Sequence, residues 1–389
     1  MVHLSVYATL VALSHGISLY FFIFLSARLG ADAVASIGLL ESSLYLTISI
    51  VSFGMLQLAA RDVVSGENVS TVARRFQSLR LAIGLLVGSV GLAIYLSTGE
   101  NKWAMFVMAP IFALNVDYLL YAVGRAHIAG IVALVRQGLP YLALMFIVSV
   151  GYENVDLYFI ALTFIGFLLA GLLSAHFLGI QYFYRPSFNL ADKVKPVLTV
   201  GVSDFTYNAM RGSLPLISSL FLQKEQVFIV YGFFKLLMVF VGVRRLLIQF
   251  FYSRLVDPNL AKKVDWLVRG GSAVLFVICI VMRRDVSIAY FGNPTIDPDG
   301  IVILVYATVF LLMSVYTTTI VRLIQFHREI FFMKSILITG FVFFLSCYIG
   351  MLFDMPPLVF LFLFGFYELF LGFSAAIKTK NLRRDISIT

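Results

Sequence analysis

Residues 33 to 59 read AVASIGLLESSLYLTISIVSFGMLQLA, a stretch whose single charged side chain is Glu41. A barrel strand would alternate polar with apolar positions and end after about ten residues. A helix rising about 1.5 Å per residue needs about 20 largely apolar residues to cross a hydrocarbon core of about 30 Å, and this stretch supplies them. It predicts a membrane-spanning helix, one of the two structures that satisfy every backbone group in lipid.

Working outward, the pattern recurs upstream at 4 to 26 and downstream at 80 to 97, 103 to 124, 128 to 149 and 157 to 181. The second half adds 197 to 222, 226 to 252, 267 to 289, 300 to 321, 331 to 352 and 357 to 377. The predicted fold class is all-α, a polytopic membrane protein of about 12 transmembrane helices. The first stretch has no basic n-region and no small-residue cleavage site before Arg28, so it is expected to stay as a helix and not to leave as a signal peptide. Composition agrees. A chain of 389 residues that is 61% hydrophobic and 13% charged, with mean hydropathy +0.97, holds more apolar surface than a globule of that size buries. The longest polar connections, near 61 to 79, 253 to 266 and 290 to 299, leave no room for a soluble domain.

The net charge of +9 is explained by where the charges stand. Of the 29 Lys and Arg, nineteen lie in alternate connections, from Arg61, Arg74 and Arg75 through Lys193, Arg254, Arg322 and Arg328 to Arg384, and Arg80 is counted among them. The opposite side holds five: Arg28, Lys102, Lys224, Arg283 and Arg284. That asymmetry in short loops is the positive-inside pattern, and it places both termini in the cytoplasm, in agreement with an even number of spans. The basic excess is topological and gives no reason to expect a nucleic-acid partner.

The chain has no GxxxxGK[ST], no HExxH and no Gly-rich strand-to-helix turn, so no nucleotide or cofactor site is expected. Cys279 and Cys347 both fall inside spans and read as packing residues. Asn68-Val69-Ser70 fits a glycosylation sequon but sits on the cytoplasmic side, where it is idle. Asp297-Pro298-Asp299 reads as a proline-bearing external turn in preference to a metal or catalytic acid pair. Pro110, Pro140 and Pro215 lie within spans and are expected to kink them.

At an offset of 194, Ile37-Gly38-Leu39-Leu40-Glu41 aligns with Tyr231-Gly232-Phe233-Phe234-Lys235. Glycine meets glycine, and a buried acid meets a buried base. The second span of each half then exits at Arg61 or Arg254 into a basic loop. This suggests two six-helix halves, residues 1 to 190 and 191 to 389, arranged as parallel repeats around a central cavity.

Charges within the spans carry the most functional information, because an Arg or Lys at the bilayer centre costs about 2.5 to 3.5 kcal/mol on the insertion scale. The bases are Arg136, Arg211, Lys235, Arg244 and Arg245; the acids are Glu41, Asp117, Asp204 and Glu368. Each must face water, pair or snorkel. Asp204 and Arg211, seven apart, share a helix face. Arg211 and Lys235, with Arg136 and Arg244, are the candidates for a cationic lining that meets an anionic head group; structural ion pairs are the other reading. Glu41, Asp117, Asp204 and Glu368 are candidates for ion coupling or for pairing with those bases.

From Arg28 the sequence runs through Arg28-Leu29-Gly30, Ile37-Gly38-Leu39, Phe53-Gly54-Met55 and Ala60-Arg61-Asp62. This resembles the opening of Wzx-type polysaccharide flippases in the multidrug/oligosaccharidyl-lipid/polysaccharide (MOP) exporter superfamily. Such proteins tend to carry Arg and Leu-Gly after the first helix, a glycine-punctuated second helix and an Arg at its cytoplasmic end. Here Val34-Ala35 replaces the usual aromatic-glycine pair, and Ser52 stands where an acid often precedes the second glycine. The resemblance implies a two-lobed bundle in a bacterial cytoplasmic membrane. It would move an undecaprenyl-pyrophosphate-linked oligosaccharide between leaflets by alternating access, beside a polysaccharide polymerase and its chain-length machinery. An ion-coupled exporter of organic cations is the alternative within transport. A membrane polymerase or glycosyltransferase is a third reading, for which the external loops are short and poor in catalytic groups.

Overall fold

In a computed structural model of the protein, the structure describes residues 2–152, 154–188, 194–251, 257–319 and 329–386. Lys193, Arg254, Arg322 and Arg328 lie outside the described residues, as do the side chains of Asp204 and Arg245. Among the described residues the secondary structure is helical, with no strand. Among the described residues each of the twelve expected stretches contains helix, although the one at 300 to 321 is helical only over Ile301–Ser314 and the turn that follows ends its main helix early. Nine helices there are long and apolar enough to cross a membrane, and a bent pair makes a tenth.

The chain divides into two compact units, one of Met1–Leu25 with Asp32–Leu216 and one of Ser26–Ala31 with Ile217–Thr389. The first contains most of α1 (Val2–Arg28) and α2 (Ala31–Ser52), then α3 (Met55–Val64) and α4 (Val69–Thr98). It continues with α5 (Ala104–Val107), α6 (Ala109–Ala113), α7 (Asp117–Ala122), α8 (Ala126–Ala133), α9 (Leu139–Val150) and α10 (Val155–Leu178). It ends with α11 (Val194–Gly212) and the start of α12 (Leu214–Ser218). The second unit holds α13 (Lys224–Phe251), α14 (Pro258–Val281), α15 (Arg283–Phe291), α16 (Ile301–Ser314), α17 (Glu329–Met351) and α18 (Pro357–Ile386).

Several helices differ from the hydropathy reading for local reasons. The polar run at 61 to 79 is mostly helix. Asn68 is an N-cap whose side chain accepts from the Ser70 and Thr71 amides at 2.9 and 3.4 Å, so α4 starts at Val69, well before the apolar part begins at residue 80. The asparagine of the sequon therefore has a structural task. Asp257 caps α14 in the same way, accepting from Asn259 at 2.9 Å with Pro258 following it. The span expected at 33 to 59 breaks at Phe53 and Gly54, both with positive φ. All three kink prolines sit at irregularities: Pro110 at a 43° bend between α5 and the α6–α7 segment, Pro140 just after a π-helical turn at Leu134–Gly138, and Pro215 at the α11–α12 junction.

In the first unit α4 packs on α5 and α6, and Gly84 and Gly88 bring its backbone to within close contact of Ala109 and Pro110. Its interior is a continuous apolar cluster that includes Met55, Leu58, Phe76, Leu119 and Val197. In the second unit α16 lies between α14 and α18, and α17 packs on α18. Asp297 is buried there, accepting from Ser287 Oγ at 2.9 Å and from the Val302 and Ile303 amides at 3.2 and 3.4 Å. It is thus the acceptor for the first turn of α16, which explains the Asp-Pro-Asp turn.

Candidate functional site

The first unit contains a polar interior built from α2, α7, the π turn, α9 and α10. A π turn inserts one residue into a helix and rotates every side chain beyond it, and here it carries Arg136. Arg136 Nη1 lies 2.7 Å from Asp117 Oδ2, and the guanidinium sits 5.5 Å from the centre of the Phe167 ring. Asp117 opens α7, where a helix N-terminus favours negative charge, and its own amide donates to Asn115 Oδ1 at 3.1 Å. The pair is partly buried, with the two side chains 20% and 12% exposed, so its charges are screened less than those of a surface pair.

One turn along α2 from Tyr45, Glu41 is 1% exposed and accepts a 2.6 Å hydrogen bond from the Tyr141 hydroxyl. Tyr141 stacks in turn with Phe21 and Phe159, at 4.7 and 6.2 Å between ring centres. Between these groups lies a small pocket lined by Tyr45, Arg136, Gln137, Tyr141, Thr163 and Phe159 among others. About 20 Å³ of it is open to the centre of a water molecule, room for one or two waters. Arg136 Nε is buried with no hydrogen-bond partner. Gln137 Oε1 accepts from Ser14 at 3.2 Å. The pocket thus joins a guanidinium, an amide and hydroxyls to aromatic walls.

The remaining sequence candidates are divided between the two units. Arg211, 5% exposed on α11, lies 3.9 Å from the centre of the Tyr207 ring. Asp204 is on the same helix. Lys235, 1% exposed on α13 of the second unit, lies 5.2 Å from the Tyr231 ring centre. Glu368 is buried on α18. Arg244 is buried too, and its Nη2 donates to the Thr317 carbonyl at 2.9 Å, beyond the end of α16. The structure therefore brings Arg136 and Asp117 together, and it turns one nitrogen of Arg244 to a backbone carbonyl.

Two polar clusters, one buried and one half-buried, escaped the sequence reading. Arg80 stands next to the polar 61 to 79 run and reads as a loop cation, yet it is 3% exposed. Its Nη1 and Nη2 donate to the carbonyls of Asn115 and Phe112 at 2.6 and 3.0 Å, and it lies 5.2 Å from the Tyr118 ring centre. Gln77, one turn before it, donates to the Leu114 and Tyr182 carbonyls at 3.1 and 2.9 Å. In the second unit Asp265 accepts from the Thr318 amide and hydroxyl at 2.8 and 3.0 Å, and Arg269 Nε donates to Val315 O at 3.0 Å. The available signal was spacing: polar residues three or four apart at one end of an otherwise apolar helix point to a common task. Among the described residues no group of three or more His, Cys, Asp or Glu is arranged to hold a metal.

No protein-family model and no curated protein matches the chain. Solved structures match its fold. An inward-facing multidrug resistance MATE family transporter of the MOP superfamily superposes with a TM-score of 0.68 at 14% identity, covering 99% of this chain and 98% of that one. A MATE in complex with MaL6 gives 0.66 at 12% identity, over 100% and 97% of the two chains. A MOP superfamily transporter from Pyrococcus furiosus Vc1, described as having a binding pocket of reverse polarity that suggests a different function, gives 0.64 at 13% identity, over 99% and 95%. Along essentially its whole length the chain has the fold of the MATE transporters of the MOP superfamily.

Proposed function

We propose that the protein is an alternating-access carrier of a lipid-linked anionic glycan: an undecaprenyl-pyrophosphate-linked oligosaccharide crossing a bacterial cytoplasmic membrane, with both termini of the chain in the cytoplasm. The observation that carries this reading is the Arg136 pocket. Its unpartnered buried Nε donor, the neighbouring amide and hydroxyls, and the faces of Tyr45, Tyr141 and Phe159 are the groups that meet the hydroxyls and apolar ring faces of a sugar, and the pocket, which here has room for only one or two waters, widens to admit one during the transport cycle. Arg211 of the first unit and Lys235 of the second are separate candidates for contacting the pyrophosphate, which needs cationic donors in a low-dielectric setting. A polysaccharide polymerase and its chain-length machinery are the natural receivers of such a cargo.

A second reading, export of organic cations, is supported by the buried carboxylate of Glu41 and by the description of one similar structure as a multidrug resistance transporter. The two readings separate in one experiment. The purified protein is reconstituted in liposomes, and leaflet exchange of a labelled polyprenyl-pyrophosphate oligosaccharide is followed beside uptake of ethidium. Exchange without ethidium uptake supports the flippase. Arg211→Ala and Lys235→Ala are then expected to slow it by about tenfold to a hundredfold, the scale of one lost charge-assisted hydrogen bond. Wild-type protein that exchanges no glycolipid under any ion gradient overturns the flippase reading. Exchange indifferent to both substitutions overturns only the residue assignment.

A further inference from the structure

Within the first unit, two helix breaks face each other across α2 and α11. The first separates α2 from α3. Phe53 has φ +33° and Gly54 φ +70°, a left-handed pair that stops one helix and restarts the next. This break rests on the backbone of α11: a Cβ added to Gly54 would lie 2.7 Å from both the Cα and the N of Gly201, and one added to Gly201 would lie 2.7 Å from Phe53 O. The Phe53 ring packs on Phe205, 6.1 Å between centres.

The second break separates α11 from α12, where Pro215 has no N–H for the helical ladder. It rests on α2. Ser42 Oγ, fully buried, accepts from the Leu216 amide at 3.0 Å and donates to Gly212 O at 3.4 Å. A Cβ on Gly212 would meet Tyr45 Cβ at 2.9 Å. The register is consistent. Ser42 with Gly212 and Phe53 with Gly201 both sum to 254, so the helices run antiparallel, with contacts eleven residues apart on each, about 16 Å at the rise of an α-helix.

We infer that these two breaks form one reciprocal hinge: each is seated on the helix that carries the other, so α2–α3 and α11–α12 bend together. The bend of α2 is possible where it is because Gly201 leaves space for it. The bend of α11 is closed by a hydroxyl of α2. The α2–α3 contact lies apart from the Arg136 pocket, the α11–α12 contact shares Tyr45 with it, and the inference stands whatever the cargo.

Hydrogen exchange read by mass spectrometry on the full chain in lipid nanodiscs tests the coupling. Ser42→Ala removes the acceptor at the α11–α12 break. It is expected to speed exchange about fivefold at 214 to 218, the scale of one lost buried hydrogen bond, and also at 53 to 58, which it does not touch. Gly201→Ala, made at the other break, is expected to speed both segments as well. Acceleration confined to the altered break in each variant overturns the inference. Should Gly201→Ala fail to fold, a Ser42→Cys/Leu216→Cys pair in a Cys279→Ala/Cys347→Ala background gives the same contrast in reverse. Closing that disulfide is expected to slow exchange at 53 to 58, and no change there on closure overturns the coupling.

Discussion

Both units tie down the end or break of an apolar helix with polar and charged side chains from a neighbouring helix, but with different chemistry. In the first, Gln77 and Arg80 of α4 donate to the carbonyls of Phe112, Leu114 and Asn115, where α6 gives way to α7. In the second, Arg269 of α14 and Arg244 of α13 donate to Val315 and Thr317 just past α16, while Asp265 accepts from Thr318. A helix end frees carbonyls and the next helix start frees amides, so both kinds of partner are needed. The first unit answers its amides with neutral acceptors, Asn115 Oδ1 for Asp117 and Ser174 Oγ for Val116. The second uses a carboxylate set among two guanidiniums. Among the described residues no carboxylate pairs with Arg80, whose charge is spread over carbonyls and the Tyr118 face. A buried cation can thus be held by two backbone carbonyls and an aromatic face.

The comparison breaks most sharply at Arg80. Arg80→Leu strands two buried carbonyls and is expected to destabilise the detergent-solubilised protein by about 2 to 4 kcal/mol in thermal denaturation. Arg80→Lys should recover less than half of that, since an ammonium lacks the planar fork that reaches both oxygens. Asp265→Asn should cost less, about 1 to 2 kcal/mol, because the amide oxygen still serves Thr318 while the charge between Arg244 and Arg269 is lost. A larger loss at Asp265 than at Arg80 would reverse the account of which unit depends more on a single side chain. The smallest effect sets the floor. Glu100, in an exposed connection, lies 2.8 Å from Lys102 Nζ, and the hydrogen bond to that ammonium holds its carboxyl below the usual carboxylate range. Its contribution is present above the unfolded pKa, about 4.3, and is lost as pH falls through the lower folded value. Screening keeps it to a few tenths of a kcal/mol, so Glu100→Gln should leave the melting temperature at pH 7 unchanged.

Hydropathy located the long apolar helices among the described residues, because lipid demands long apolar runs whatever the sequence between them, but it missed the helix at 69 to 79. It said less about where those runs bend. The three prolines marked breaks correctly, since a missing N–H is visible in the letters. Phe53-Gly54 was legible only as part of a family resemblance, because a left-handed phenylalanine looks like any other apolar residue. Arg136 and Asp117 stood out as charges within spans, yet their pairing depends on a π turn and a helix start, which composition does not show. Arg80 was misplaced for a simpler reason: a buried cation three turns into a helix has the same local composition as one in the loop before it, until the cap at Asn68 fixes the helix start.

The second unit includes Ser26–Ala31, the turn between the first two helices, and Gly292 packs directly against Ala27 there. Translation order therefore matters. The ribosome makes this small piece of the second unit near the beginning, and it must wait for residues 217 onward before its neighbours exist. The first unit, for its part, is not complete until Leu216 has emerged, past the midpoint of the polypeptide. Membrane insertion of the early helices and their final assembly are consequently separated in time, and a nascent chain halted shortly after α10 should be a poor mimic of either finished unit.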